Sequence, residues 1–324
     1  MTETRPPRRL CADISIAAGD DPGGSGTPFN RYFGVEIAPA WKEDIADSRN
    51  FPDGLMQPVG EALAKGVIGK FTGLLPEPER SVEGHTRVLL MSRPSAPLAA
   101  LERSEYILPD EKLLPFTQAL AGGVEALAAF EDYREDDAGV RDILVCTHGA
   151  NDVCCGKYGY PLYDRLRARA ADSGESLRLW RTSHIGGHRF AATLMDFPEG
   201  RYWGHLDPDT AERAIFREGE AADLENKCRG WAALDSPLAQ IAERAMLARE
   251  GWAWTTYLRS SELLRSGEDG GRVRIEYASP DGKVSGAYEA GIEVNGSVMT
   301  LLKSGTEPLK EVEQYRVSRL ARVE

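Results

Sequence analysis

The stretch RDILVCTHGANDVCCGKYGYPLYDRLRARAA, residues 141–171, decides the fold of this chain. Its first part, RDILVCTHG, is typical of a buried strand that ends at Cys146. GYPLYDRLRARAA follows, with Pro161 near its start and Leu162 and Leu166 on one face, and predicts a helix. SLRLWRTS (176–183) alternates apolar and polar residues and predicts a second strand.

Two further elements follow the second strand. RFAATLMDF and RYWGHL flank a Pro-Glu-Gly turn at 198–200 and predict an antiparallel hairpin. Asp207 followed by Pro208 is a helix start signal. The order strand, helix, strand, hairpin, helix is the layout of a thioredoxin-like domain.

The N-terminal region predicts an α/β domain with less clarity. RYFGVEIAP and TRVLLMSR are typical of strands, with a helix around GEALAKGVIGK between them. LPFTQALAGGVEALAAF (114–130) predicts another helix, whereas ISIAAGDDPGGSGTP (14–28) is glycine-rich and predicts mostly a loop. The acidic segment EDYREDDAG then marks a domain boundary, and no internal repeat is visible.

The C-terminal part predicts a helix and a meander. Ser236 and Pro237 open an amphipathic helix, and three strands follow, joined by a Pro-Asp-Gly turn and an Asn295-Gly296 turn. We therefore expect three parts: an α/β domain at 1–135, a thioredoxin-like domain at 140–235, and an extension at 236–324.

Composition restricts the function. The chain has 324 residues, of which 42% are apolar, and a net charge of −12, which argues against binding nucleic acid or an anionic membrane. No secretory signal and no run of about 18 apolar residues is visible. Five unevenly spaced cysteines make a poor disulfide framework, so we expect a reducing cytoplasm.

Cysteines and histidines concentrate in the middle of the chain. Cys146 and Cys155 are separated by eight residues, 28 residues follow, and His184 and His188 are separated by three. Two soft thiolates and two imidazoles are a ligand set for a metal site. Gly186 and Gly187 place the histidine pair on a loop, because a helix disfavours consecutive glycines.

The stretches VCTHGANDVCCGKYG, TSHIGGHRFAAT and CRGWAAL resemble the sucrase/ferredoxin-like family of thioredoxin-like ferredoxins. The resemblance implies a [2Fe–2S] cluster held by Cys146, Cys155, His184 and His188, the histidines belonging to an H-x-G-G-H motif. The choice of Cys155 over its neighbour Cys154 rests on the spacing in that family. The resemblance is tight over residues 141–233 and loose in the N-terminal region.

Two alternatives stay open at this point. A structural zinc site is compatible with the ligands, although the spacings are not those of zinc fingers. A thiol–disulfide oxidoreductase would use Cys154 and Cys155, but the chain lacks the Cys-x-x-Cys that lowers a thiol's pKa. It would also leave the histidine motif without a role.

The resemblance implies an electron carrier more than an enzyme. Two neutral imidazoles in place of two thiolates remove negative charge, so we expect a Rieske-like, moderate potential and proton-coupled reduction. We expect the partner to be a redox protein, either a reductase or an electron acceptor. Other polar residues are expected to have structural, hydrogen-bonding or surface roles: His148, His205, Arg181, Arg189, Cys11, Cys228 and His85.

Overall fold

The computed structural model describes residues 9–94, 96, 98, 100–135 and 139–323. Within these residues the chain forms a ten-stranded sheet and a four-stranded sheet, flanked by helices. The α-helices are α1 (Cys11–Ala18), α2 (Met56–Ala64), α3 (Asp110–Gly122), α4 (Val153–Ser173), α5 (Pro208–Phe216) and α6 (Pro237–Glu250). The α/β class predicted from the sequence is confirmed.

The strands of the large sheet are β1 (Arg31–Glu36), β2 (Lys70–Leu74), β3 (His85–Ser92), β4 (Glu102–Pro109), β5 (Arg134–Glu135), β6 (Arg141–Cys146), β7 (Leu177–Thr182), β8 (Leu194–Phe197), β9 (Arg201–Trp203) and β10 (Cys228–Trp231). They lie in the order β10-β9-β8-β6-β7-β2-β1-β3-β4-β5. The small sheet has the order β11 (Leu258–Gly267), β12 (Gly270–Ala278), β13 (Ser285–Thr300), β14 (Lys310–Val323).

One half of the large sheet has the predicted thioredoxin-like topology. Its strands lie in the order β9-β8-β6-β7, with β7 parallel to β6 and β8 antiparallel to both of its neighbours. Helix α4 connects the two parallel strands, and α5 follows the hairpin. Numbered within the unit, this is the 4-3-1-2 order of the thioredoxin fold.

The other half repeats this topology, which the sequence does not reveal. Strands β4-β3-β1-β2 lie in the same relative order, with β1 and β2 parallel, β3 antiparallel to β1, and β4 antiparallel to β3. Helix α2 connects the parallel pair and α3 follows the hairpin. The predicted N-terminal α/β region is thus a second thioredoxin-like unit, and it has no cysteine between its first and last strands.

The two units join along one strand edge. β2 and β7, the second strand of each unit, run antiparallel and meet at their carboxyl ends, where Leu74 lies opposite Thr182. Backbone hydrogen bonds from Leu75 N to Arg181 O (2.8 Å) and from Ser183 N to Gly73 O (2.8 Å) close the junction. The domain division at 135–140 stays a prediction, and both units share one continuous sheet.

Two local predictions are wrong and a third holds only in part. Residues 19–28 form the predicted loop, but residues 14–18 belong to α1, because Ala12 and Ser15 pack into the interior and Gly19 ends the helix with a left-handed φ of 68°. Helix α4 begins at Val153 and not at Gly159, so Pro161 lies inside it. Asn295-Gly296 is an irregularity within the long strand β13, whose register shifts between Val294 and Ser297, and not a turn.

The C-terminal part packs on the second unit through a buried charge network. Glu243 of α6 is fully buried and accepts hydrogen bonds from Arg201 (2.7 and 2.9 Å), Arg259 (2.7 Å) and Trp254 (2.8 Å). Burial alone would raise the pKa of Glu243, but the two arginines outweigh it and lower the pKa to about 2. In the described residues, no helix is both long and apolar enough to cross a bilayer.

Candidate metal centre

Cys146 and Cys155 are brought together by a close approach of a helix to a strand end. Cys146 is the last residue of β6, and Cys155 lies in the first turn of α4, whose N-cap is Asp152. A Cβ atom on Gly159 would clash with the Cys146 carbonyl oxygen, at a separation that real Cβ atoms do not show. Only glycine therefore lets α4 pass so close to the end of β6.

His184 comes to the same place because its strand pairs with β6. Thr182, the last residue of β7, lies opposite Cys146, so His184 follows just beyond the sheet. Its backbone N–H donates to His148 Nδ1 (3.1 Å), and His148 Nε2–H donates to the carbonyl of Lys42 (2.7 Å). His148 thus has the predicted hydrogen-bonding role, and it links the site to the first unit.

These three side chains form a compact donor set. One donor atom each from Cys146, Cys155 and His184 lies within 4.8 Å of the others, and Cys155 Sγ is 3.9 Å from His184 Nδ1. Hydrogen bonds from Cys155 and from His184 hold the pKa of Cys146 well below its usual range, although burial acts in the opposite direction. The geometry thus favours a thiolate at Cys146.

His188 lies beside this set without joining it. Its ring centroid is 5.3 Å from that of His184, and its side chain is 18% exposed. Its Nδ1 lies 3.5 Å from Cys11 Sγ and 3.6 Å from an oxygen of Asp152. Burial lowers the pKa of His188, while Asp152 opposes that shift. The structure therefore gathers three of the four predicted ligands and places the fourth next to them.

The glycines between the two histidines have a structural reason. Gly186 and Gly187 have φ values of 95° and 73°, in the left-handed region that favours glycine. A Cβ on Gly187 would also clash with the guanidinium of Arg229, which donates to the carbonyl oxygen of Gly186 (2.9 Å). Arg229 belongs to the CRGW stretch, so that motif and the histidine loop are parts of one site.

A second cluster surrounds Cys154. Its Sγ lies 3.7 Å from the Sγ of Cys11 and 3.2 Å from the hydroxyl of Ser304. Asp152 accepts hydrogen bonds from the backbone N–H of Cys154 (2.9 Å) and from the hydroxyl of Ser304 (2.7 Å). Cys154 and Cys155 therefore face different partners, and Cys155 is the one beside Cys146.

Sequence reasoning missed Cys11, Asp152 and Ser304. Cys11 has no other cysteine or histidine near it in the sequence, yet it packs against Cys154 because α1 lies over the start of α4. A sequence signal existed for Asp152 alone, since it directly precedes the helix that carries both cysteines. Cys11 and Ser304 come from the two ends of the chain, and nothing local to them indicates the contact.

The remaining predicted residues lie around the site or away from it. His205 is buried, with Nε2 3.0 Å from the Ser15 hydroxyl, and burial lowers its pKa to about 4. Arg189 pairs with Asp20 (3.1 Å). Arg181 lies over the ring of Tyr163 (5.5 Å). Cys228 is buried in the core, and His85 is exposed.

The two histidines reach the surface through separate depressions. One, of about 380 Å³, is lined by His184 and His148 together with Glu43 and Asp44 of the first unit. The other, of about 270 Å³, is lined by His188, Arg189 and Arg229. The thiols of Cys146 and Cys155 are buried, so the imidazoles are the solvent-facing edge of the donor set.

Comparison with known proteins finds two relatives from yeasts and one solved structure. The chain is 26% identical over 211 residues to altered inheritance of mitochondria protein 32 of Debaryomyces hansenii, covering 54% of this chain and 76% of the yeast protein. It is 26% identical over 173 residues to the protein of the same name in Meyerozyma guilliermondii, covering 49% and 60% respectively. A solved structure of a thioredoxin-like [2Fe–2S] ferredoxin from Aquifex aeolicus matches 29% of this chain and 94% of its own, with 10% identity and a TM-score of 0.25.

The family match covers more than half of the chain. Residues 22–230 match the family described as sucrase/ferredoxin-like. This range begins before β1 and ends within β10, so it includes both thioredoxin-like units and the whole donor set. The chain therefore belongs to the sucrase/ferredoxin-like family.

Proposed function

We propose that this protein transfers electrons with a [2Fe–2S] cluster held by Cys146, Cys155, His184 and His188. The observation that carries the proposal is the donor set at the ends of β6 and β7, where two buried thiols and an imidazole lie within 4.8 Å of one another. Soft thiolates and imidazoles are ligands that iron–sulfur clusters accept. When bound, the cluster would supply a one-electron acceptor and donor.

The chain's residues fit this role in four ways. Asp152 caps α4 and so fixes the turn that carries Cys155, while His148 fixes the backbone of His184. Asp152 also lies at Nδ1 of His188, which leaves Nε2 as the nitrogen for a metal. The exposed imidazole edges give electrons a path to a redox partner protein, either a reductase or an acceptor.

The ligand charges imply the potential. Two thiolates contribute a charge of −2 and two neutral imidazoles contribute none, so the site carries less negative charge than four cysteines would give. By analogy with Rieske centres, we expect a potential of about −150 to +300 mV rather than about −400 mV. Bound imidazoles keep an ionisable N–H, so we propose that reduction is coupled to proton uptake. A potential that does not change with pH would contradict the coupling.

The experiment is to purify wild type, His188→Cys and the exposed control His85→Ala without oxygen, then record visible and EPR spectra with iron and sulfide content. We expect a coloured wild type with two irons per chain, a shifted reduced-state EPR signal in His188→Cys, and no shift in His85→Ala. A colourless protein with one zinc per chain would favour the structural zinc site. A colourless, metal-free protein would favour thiol chemistry instead. Cys154 and Cys155 face different partners, however, which argues against a disulfide between them.

A further inference from the structure

Arg229 and Lys70 lie against the H-x-G-G-H loop, and neither has a carboxylate partner among the residues that the structure describes. Arg229 is 1% exposed and donates to Ser25 Oγ (3.0 Å), Ser25 O (2.8 Å) and Gly186 O (2.9 Å), all of which are neutral acceptors. Neighbouring Arg189, in contrast, has its charge compensated by Asp20. Buried charges in proteins are normally paired, because desolvation otherwise costs several kcal/mol.

Lys70 is the second of these cations and comes from the first unit. It is the first residue of β2, whose other end pairs with the end of β7 just before the H-x-G-G-H loop. Its Nζ lies 4.0 Å from the position that a Cβ on Gly186 would occupy. The ammonium group of Lys70 makes no hydrogen bond or ion pair within the described part of the chain.

The two cations also act on each other and on the thiols. Burial, with the nearby charge of Arg229, lowers the pKa of Lys70 to about 8, and burial lowers that of Arg229 to about 10. Cys146 opposes both shifts, and Cys155 opposes the shift at Arg229. Two like charges against the H-x-G-G-H loop therefore favour negative charge at the donor set.

We infer that the positive charges of Lys70 and Arg229 stabilise the reduced, more negative form of the metal centre and so raise its reduction potential. The inference rests on the proposed function, since the centre that gains the electron is the one proposed there. An added electron takes the site from about zero to about −1 with two thiolate ligands. Lys70 then gives the first unit, which has no ligand of its own, a role in the redox chemistry.

The test is the reduction potential of Lys70→Met, compared with Lys70→Arg and with Lys112→Met. Lys112 is an exposed lysine of the same unit, so Lys112→Met removes the same charge from a solvent-exposed position. A unit charge about 12 Å away at an effective dielectric constant of about 20 changes an equilibrium constant roughly tenfold. We therefore expect Lys70→Met to weaken one-electron reduction about tenfold, a fall of about 59 mV, while the other two variants keep the wild-type value.

The outcomes separate this inference from the proposed function. If Lys70→Met holds the cluster with an unchanged or higher potential, the inference is overturned and electron transfer stands. If wild type holds no cluster, both fall together. Should Lys70→Met lose its cluster, the same comparison is made on Lys70→Gln. If the reduction potential falls in Lys70→Met but not in Lys70→Arg, the cause is the lost charge and not altered packing.

Discussion

Replacing Gly159 by alanine tests whether the close approach of α4 to β6 builds the site. Alanine in a helix interior is intrinsically favoured over glycine by about 1 kcal/mol. Here, however, the new methyl group would meet the Cys146 carbonyl oxygen, which is backbone and cannot rotate away. Helix and strand must separate by roughly 1 Å, several times the tolerance of about 0.2 Å in metal–ligand distances.

We expect Gly159→Ala to lower the free energy of unfolding by about 1–3 kcal/mol, the cost of overpacking a well-packed contact. The assay is urea unfolding of the metal-free protein, followed by iron content and visible absorbance of protein purified without oxygen. Most of the metal should be lost, because Cys155 moves away from Cys146.

Gly60→Ala in α2 is the matched control. A Cβ there meets nothing within 4 Å, so the same substitution should stabilise the protein by about 0.5–1 kcal/mol. The reasoning would be refuted if Gly159→Ala unfolded at the same urea concentration as wild type, or at a higher one, with its metal content intact.

Three further predictions concern the same region and its support. Cys155→Ser should abolish metal binding whereas Cys154→Ser should keep it, as measured by iron per chain. His148→Ala removes the acceptor of the His184 N–H and should speed iron release to a chelator about 10–100-fold. Glu243→Gln breaks a buried ion pair and should cost about 3–5 kcal/mol in urea unfolding at pH 7. Because the folded pKa of Glu243 is lowered to about 2 from 4.5, its stabilisation is complete above about pH 5 and is lost as pH falls towards 2. Glu243→Gln should therefore flatten the fall in wild-type stability over that range.

Local patterns predicted the second unit well. The strand of residues 177–182, the hairpin on either side of residues 198–200 and the helix that begins at Pro208 all lie where apolar alternation and the Asp207-Pro208 pair place them. These signals depend on residues only a few positions apart, and tertiary contacts do not override them here. The start of α4 was placed too late because Gly156, Gly159 and Pro161 are typical of helix breaks. Tertiary packing against β6 overrides that preference.

The rest of the site depends on contacts between distant parts of the chain. The contact of Cys11 with Cys154 joins residues 143 positions apart, and Ser304 reaches Asp152 across 152 positions. No periodicity connects such residues. The thioredoxin-like topology of the first unit was missed for a related reason. This unit lacks the cysteine and histidine motif of the second, and strand order depends on pairing between distant segments.

The junction of β2 with β7 makes the chain resemble a two-fold symmetric dimer fused into one polypeptide. Equivalent edge strands meet antiparallel, as in an isologous contact between identical subunits. Fusion makes that contact independent of protein concentration, and it releases the two copies from having to stay alike. One copy can then keep the proposed ligands while the other supplies Lys42 and Lys70 from across the junction. A true homodimer could not encode this asymmetry.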